Sequence, residues 1–211
     1  LRNTRFWVLH HLLTGHARAH GLGTDIHAFV EVDRGRGDPF GVDADIVCFN
    51  RGEFFVPNDY DLLNALGDGR SRNLSPDEVP RWALISPRAL PENASSAVLD
   101  RYYHAVLQPG ERPDPVPSFW PALPPVTRED AERWVAEGWS DFAPAPPARA
   151  SHPEWHSPSW LLLTEVYAAL AHFGLAAEAL PAEFRVVLRA MEEFEGLLGH
   201  GRTRLVFWHD N

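Results

Sequence analysis

Lysine is absent from this chain, so all 19 of its basic residues are arginine. That bias is the signature of a GC-rich coding sequence and does not by itself point to Arg-based recognition. With 29 acidic residues the formal charge is −10, which leaves no global field to attract a phosphate backbone. Nucleic acid is therefore not an expected partner. Cysteine occurs once, at Cys48, so an intrachain disulfide and a Cys-based zinc framework are both excluded. Cys48 lies in the apolar run Ile46-Val47-Cys48-Phe49 and reads as a small buried hydrophobe. Long hydrophobic runs are missing too. Nothing approaches the about 18 apolar residues that a membrane-spanning helix needs. Phe6 to Leu13 has the look of a signal core, but His10 and His11 interrupt it and no small-residue cleavage site follows. A cytoplasmic protein is the expectation.

What is present is enough for a core. The 211 residues are 45% hydrophobic, and eight tryptophans supply large apolar surfaces with a polar handle. Residues 24–32 alternate. Ile26, Ala28, Val30 and Val32 fall on one face, and Asp25, His27, Phe29 and Glu31 on the other, which predicts a half-buried strand. A second strand over 44–50 would make a hairpin with it. Asn58-Asp59 predicts a helix start that Gly67 stops, and another helix is expected around 94–107. Seven prolines between 109 and 125 dictate extended or turning chain. Thr127 to Asp130 resembles a capping box opening a helix to about 137. Ser157-Pro158 predicts a further helix, with the proline at its first position. Pro181 opens a last helix ending at Gly199, and 202–208 closes the chain as a strand. The expected class is α+β: a small, mostly antiparallel sheet with helices packed on one face and long Pro-rich loops.

Three places carry the residue types of a reactive site. Asp25 and His27, two apart on a strand, share a face and could chelate one divalent ion or act as an oriented acid/base pair. The plainer alternative is a solvated strand face or a His–Asp hydrogen bond. His156 precedes the expected helix start at Ser157, where free backbone amides and a positive dipole suit an anion. Capping and packing is the alternative there. Asp210 ends the last strand near a sheet edge, with a frayed terminus as its alternative reading. Arg72 and Arg88 could each receive a phosphate or carboxylate, or form surface ion pairs. The chain has no phosphate-binding glycine loop, no serine nucleophile elbow and no Cys/His pair.

Taken in order, Gly23-Thr-Asp25-Ile-His27 through Glu31, Tyr60-Asp-Leu-Leu63, Arg72-Asn73, Pro87-Arg88-Ala-Leu-Pro91, His156-Ser-Pro-Ser-Trp160-Leu and Val206-Phe-Trp-His-Asp210-Asn211 resemble an uncharacterised family of bacteria and their phages. The resemblance runs from about residue 22 to the end. It implies an intracellular protein and no established activity. Family members begin Met-Gly-x-Asp-Ile-His, and Leu22 stands in the place of that Met. A non-ATG start codon translated literally would produce Leu22, so the expected natural start is Leu22. Residues 1–21 would then be a non-native or flexible extension ahead of one α+β domain over 22–211. His209 occupies a position where the family pattern has an aromatic residue.

These observations combine into an expected site of Asp25, His27, His156 and Asp210. Three or four such ligands from separate segments fit an open, catalytic divalent-metal site of zinc, manganese or magnesium. His27 and His156 would ligate metal or move protons, Asp25 and Asp210 would ligate or orient, and Arg72 would steady an anion. The expected chemistry is metal-assisted or acid/base hydrolysis of a phosphate-containing or nucleotide substrate. The alternative is a non-catalytic protein that binds a host or phage protein partner through its Trp/Pro-rich segments at 116–120 and 134–142.

Overall fold

The structure is a computed structural model and describes residues 25–49, 54–56, 59–67, 84–112, 122–143 and 147–210. Residues 1–21, Arg72 and most of the Pro-rich stretch (113–121) lie outside the described residues.

Two eight-residue strands make the centre. β1 (Ile26–Asp33) and β9 (Thr203–Asp210) run antiparallel in a register from Ile26 opposite His209 to Val32 opposite Thr203, and every residue of both is buried. β8 (Trp155–Leu162) pairs antiparallel with the far side of β9. On the near side of β1, β2 (Ile46–Cys48) pairs with its end and β3 (Phe54–Val56) with its start. A second small sheet has the order β5-β4-β7-β6, from β5 (Val126–Thr127), β4 (Tyr103–Leu107), β7 (Arg149–Ser151) and β6 (Phe142–Ala143). Its β4–β5 pair is parallel and the rest antiparallel. The α+β class and the mostly antiparallel pairing expected from the sequence hold.

Strand alternation divides the first sheet into two faces. On one, Ile26, Ala28, Val30 and Val32 join Leu205 and Phe207 beneath α1 (Tyr60–Leu66), α4 (Leu163–His172) and α5 (Ala182–Leu198). Asp59 caps α1 through its side chain and Gly67 closes it at φ +124°, a conformation glycine adopts without cost. On the other face, Phe29, Val206 and Trp208 pack with Trp155 and with Val98 and Tyr102 of α2 (Ser96–Tyr102). The polar face of β1 is thus neither solvent nor simply a site. It is a second buried layer.

That layer sets demands on every polar residue in it. Glu31 and Arg204 are both buried and meet at 2.7 Å, and Arg204 also donates to the Asn93 side chain and carbonyl. Asp33 accepts from the amides of Gly35, Phe40 and Asp45 and from Arg202, so one carboxylate gathers the 34–45 loop. A Cβ at Gly35 would stand 2.7 Å from the Asp43 carbonyl and 2.9 Å from the Asp33 carboxylate, which leaves room for glycine alone.

Two elements differ from the sequence reading. The helix expected over 94–107 stops at Tyr102, and Tyr103 to Leu107 becomes β4 because a partner, Arg149–Ser151, is available to pair with it. Ser157-Pro158 opens no helix. The strand continues to Leu162, and α4 starts at Leu163 with Glu165 reaching back to the Leu162 amide. Proline at the head of a helix and proline in an edge-strand bulge leave the same trace in a sequence. Here β8 is an edge strand, its register shifts between His156 and Ser159, and Ser157 sits at φ +50°. The capping box at Thr127 does form, and opens α3 (Arg128–Ala136).

Removing one partner of a buried pair strands the other charge. Glu31→Gln is therefore expected to lower the unfolding free energy by about 3–5 kcal/mol. Glu31→Leu combined with Arg204→Met should recover most of that loss. Urea titrations of both variants check this, and an unperturbed Glu31→Gln midpoint would contradict it.

Candidate acid–base site

The β1–β9 register places His27 opposite Trp208, and Asp210, two residues beyond Trp208, falls on the same face. The result is a direct bond: His27 Nε2 lies 2.9 Å from Asp210 Oδ2, with His27 4% and Asp210 9% exposed. A carboxylate only accepts, so Nε2 carries the proton, and in the neutral ring Nδ1 holds the lone pair. Asp25 takes part through its main chain. Its amide donates to Asp210 Oδ1 at 3.0 Å and its carbonyl accepts from the Asp210 amide. The carboxylate is thereby fixed from both ends of the strand pair, and it fixes the imidazole in turn.

Aromatic rings hold the His27 plane. Trp208 stacks on it at 5.8 Å and 11°, and Trp155 leans against it at 5.3 Å. The row continues outward. His152 stacks on Trp155 at 4.9 Å, His104 on His152 at 5.3 Å, and Trp134 lies 5.4 Å from His104. Arg101 covers the Trp155 ring at 5.5 Å. His104 Nδ1 donates to the Pro124 carbonyl, while His152 Nδ1 accepts from the Glu154 amide, so the two neighbours are fixed in opposite tautomers. Burial lowers the pKa of both, and the nearby Arg101 cation adds to it; for His152 the neighbouring His104 contributes as well and the value falls to about 4.

His156 does not join this group. It pairs in register with His209, on the opposite face from Trp155 and Asp210, and its ring lies 5.7 Å from that of His209. The sheet itself stands between His156 and the His27–Asp210 pair. The expectation of His156 at a helix N-terminus is corrected at the same time, since it lies within β8. Among the described residues no three His, Cys, Asp or Glu side chains are arranged to hold a metal ion. Arg88 makes a two-toothed ion pair with Glu165 and lies over Trp160, which is the ion-pair reading of that residue.

The sequence reading passed over His104 and Arg101. Both were hidden because 94–107 reads as one helix, whereas the change from α2 to β4 brings Arg101 and His104 toward Trp155 and His152. The burial of Tyr103 to Leu107 alternates as a strand's does, but the residues themselves, Tyr-His-Ala-Val-Leu, carry no apolar–polar alternation that would have shown it.

His209 is fully buried, and neither of its ring nitrogens has a hydrogen-bond partner among the described residues. Burial, helped by His156 and His27 and opposed by Asp210, pushes its pKa down to about 3. The folded ring stays neutral where the unfolded one, with an ordinary value near ~6.5, takes up a proton. The unfolded state thus binds more protons in this window, and stability is complete above about pH 6.5 and lost as the pH falls toward 3. His209→Phe is expected to reduce the stability lost between pH 7 and pH 4 by about 3 kcal/mol. Denaturant titrations at the two pH values measure it, and an unchanged pH dependence would contradict the assignment.

The chain matches no protein-family model, no curated protein and no solved structure.

Proposed function

We propose that this protein is a hydrolase that works by acid/base chemistry on an anionic, phosphate-containing substrate, with His27 as the proton-transfer group. The observation that carries this reading is the buried 2.9 Å bond between His27 Nε2 and Asp210 Oδ2. A carboxylate that holds one imidazole nitrogen fixes the ring's tautomer and supports the imidazolium that forms when the other nitrogen takes a proton. In the proposed reaction the His27 imidazole, held by Asp210, takes a proton from water, the water oxygen bonds to phosphorus, the P–O ester bond breaks, and the proton passes to the departing oxygen. Arg101 offsets charge on the phosphoryl oxygens, and Arg72 supplies a second cation for the anion. The Asp210 side chain, 12% exposed, marks where the pair meets solvent. A metal-assisted version would draw on Asp25, His27 and Asp210 with zinc, manganese or magnesium, and His156, proposed from the sequence as a fourth ligand, lies on the other face of the sheet and takes no part in it.

A second reading, a surface that docks a protein partner, is favoured by one observation. Trp139 and Val135 are 54% and 39% exposed within the 134–142 segment.

The test is a panel of phosphomonoesters, phosphodiesters and nucleotides, with the protein held in chelator. The wild type is expected to turn over at least one class, with His27→Gln and Asp210→Asn each lowering kcat about 10²-fold or more while thermal unfolding confirms both are folded. Turnover that His27→Gln leaves intact would overturn the proposal, as would no turnover of any class. Activity that chelator abolishes and zinc or manganese restores would replace it with the metal-assisted version.

A further inference from the structure

The bulge in β8 does more than break a register. It faces the turn between α3 and β6, and the two enclose a cleft of about 130 Å³. Trp139, Ser140 and Asp141 line one side, and Trp155, His156 and Ser157 the other. The cleft is well below the roughly 300–1,000 Å³ that encloses a drug-sized ligand, so it fits one ring.

Three features of the lining point to the kind of ring. Trp139 is 54% exposed, so a large flat apolar surface stands uncovered at the rim. Beside it the lining is polar: the exposed Asp141 carboxylate, the Ser140 hydroxyl, which donates to the Ser151 carbonyl at 2.8 Å, and the Ser157 hydroxyl, 3.2 Å from His156 Nδ1, each serine oxygen keeping capacity to accept. Ser157 is held at φ +50°, a left-handed conformation that a non-glycine residue adopts at a cost and that recurs where side chains are aimed at a ligand. An aromatic platform edged by a carboxylate and hydroxyls suits a group with an apolar C–H face and a rim of hydroxyls.

We infer that the cleft between the 138–141 turn and the β8 bulge is a subsite for the sugar ring of the substrate. The ring would stack on Trp139 and pair its hydroxyls with Asp141 and the serines. This rests on the hydrolase reading for its place in catalysis. Trp155 lines the cleft and also packs at 5.3 Å on His27, so one side chain separates the sugar from the proton-transfer group. A sugar phosphate or a nucleotide has that layout, with the phosphorus two or three bonds beyond the ring.

The experiment is calorimetric titration of the full chain with D-ribose, uridine, methyl glucoside and glucose 6-phosphate, alongside Trp139→Ala and Asp141→Asn. At least one probe is expected to saturate, with each substitution weakening it tenfold or more. Binding of ribose and uridine only would identify a nucleoside, and binding of the glucosides only a pyranose. Both substituted residues are exposed, and thermal unfolding verifies that the variants fold. No saturable binding by any probe overturns the inference, and so does binding that both substitutions leave unchanged. Sugar binding that depends on Trp139 in a protein that hydrolyses no phosphate ester would sink the hydrolase and keep the subsite. Turnover insensitive to Trp139→Ala and Asp141→Asn would do the reverse.

Discussion

The pairing of β1 with β9 joins residues 26–33 to residues 203–210, nearly the whole described length of chain apart, and everything else is built on that seam. It is buried along its full length, so every side chain on it is committed to one of two interiors. A slip of one residue would send Ile26, Val30, Leu205 and Phe207 to the wrong face and expose the three helices' apolar side. The same slip would part His27 from Asp210. Fold and candidate chemistry therefore share one constraint.

The two interiors differ in kind. Beneath the helices the packing is mainly aliphatic with Phe184 and Phe207 among it, and its buried polar groups are His209 and the hydrogen-bonded pair Thr203 and Glu195. On the other side, tryptophans and histidines stack from Trp208 outward to His104, and the charged residues Glu31, Arg204 and Asp33 are all satisfied internally. Buried ionic groups cost free energy unless their bonds are complete, and this layer completes them with Asn93, Arg202 and loop amides. The rigid layer holds the His27 ring against two indoles that also touch each other at 5.2 Å, at the end where the sheet meets solvent through Asp210. Preorganisation of that sort is what a proton-transfer group requires.

Much of this was legible in the residues. The alternation from Asp25 to Val32 gave β1 and both of its faces, and Thr127 and Asp59 marked helix starts that formed. Asp25, His27 and Asp210 do converge, through Asp25's main chain and the other two side chains. His156 does not, and the reason is local. Read as the residue before a helix it was free to face any direction, but as a strand residue next to Trp155 it must point the opposite way. The Ser-Pro pair could not decide between the two, because the deciding fact is β9 alongside, whose residue in register nearest the pair is Phe207, opposite Ser159 and 48 residues further along the chain. Glu31 likewise reads as a polar residue on an open face until Arg204 is brought opposite by the β1–β9 register.

The most direct measurement of the central claim is nitrogen-15 NMR of the histidine rings at neutral pH. His27 is expected to show a protonated Nε2 with a strong hydrogen bond, and Asp210→Asn is expected to shift that resonance while the ring stays in the fold. A His27 ring protonated on Nδ1 alone, or an Nε2 signal that Asp210→Asn leaves unchanged, would contradict the account.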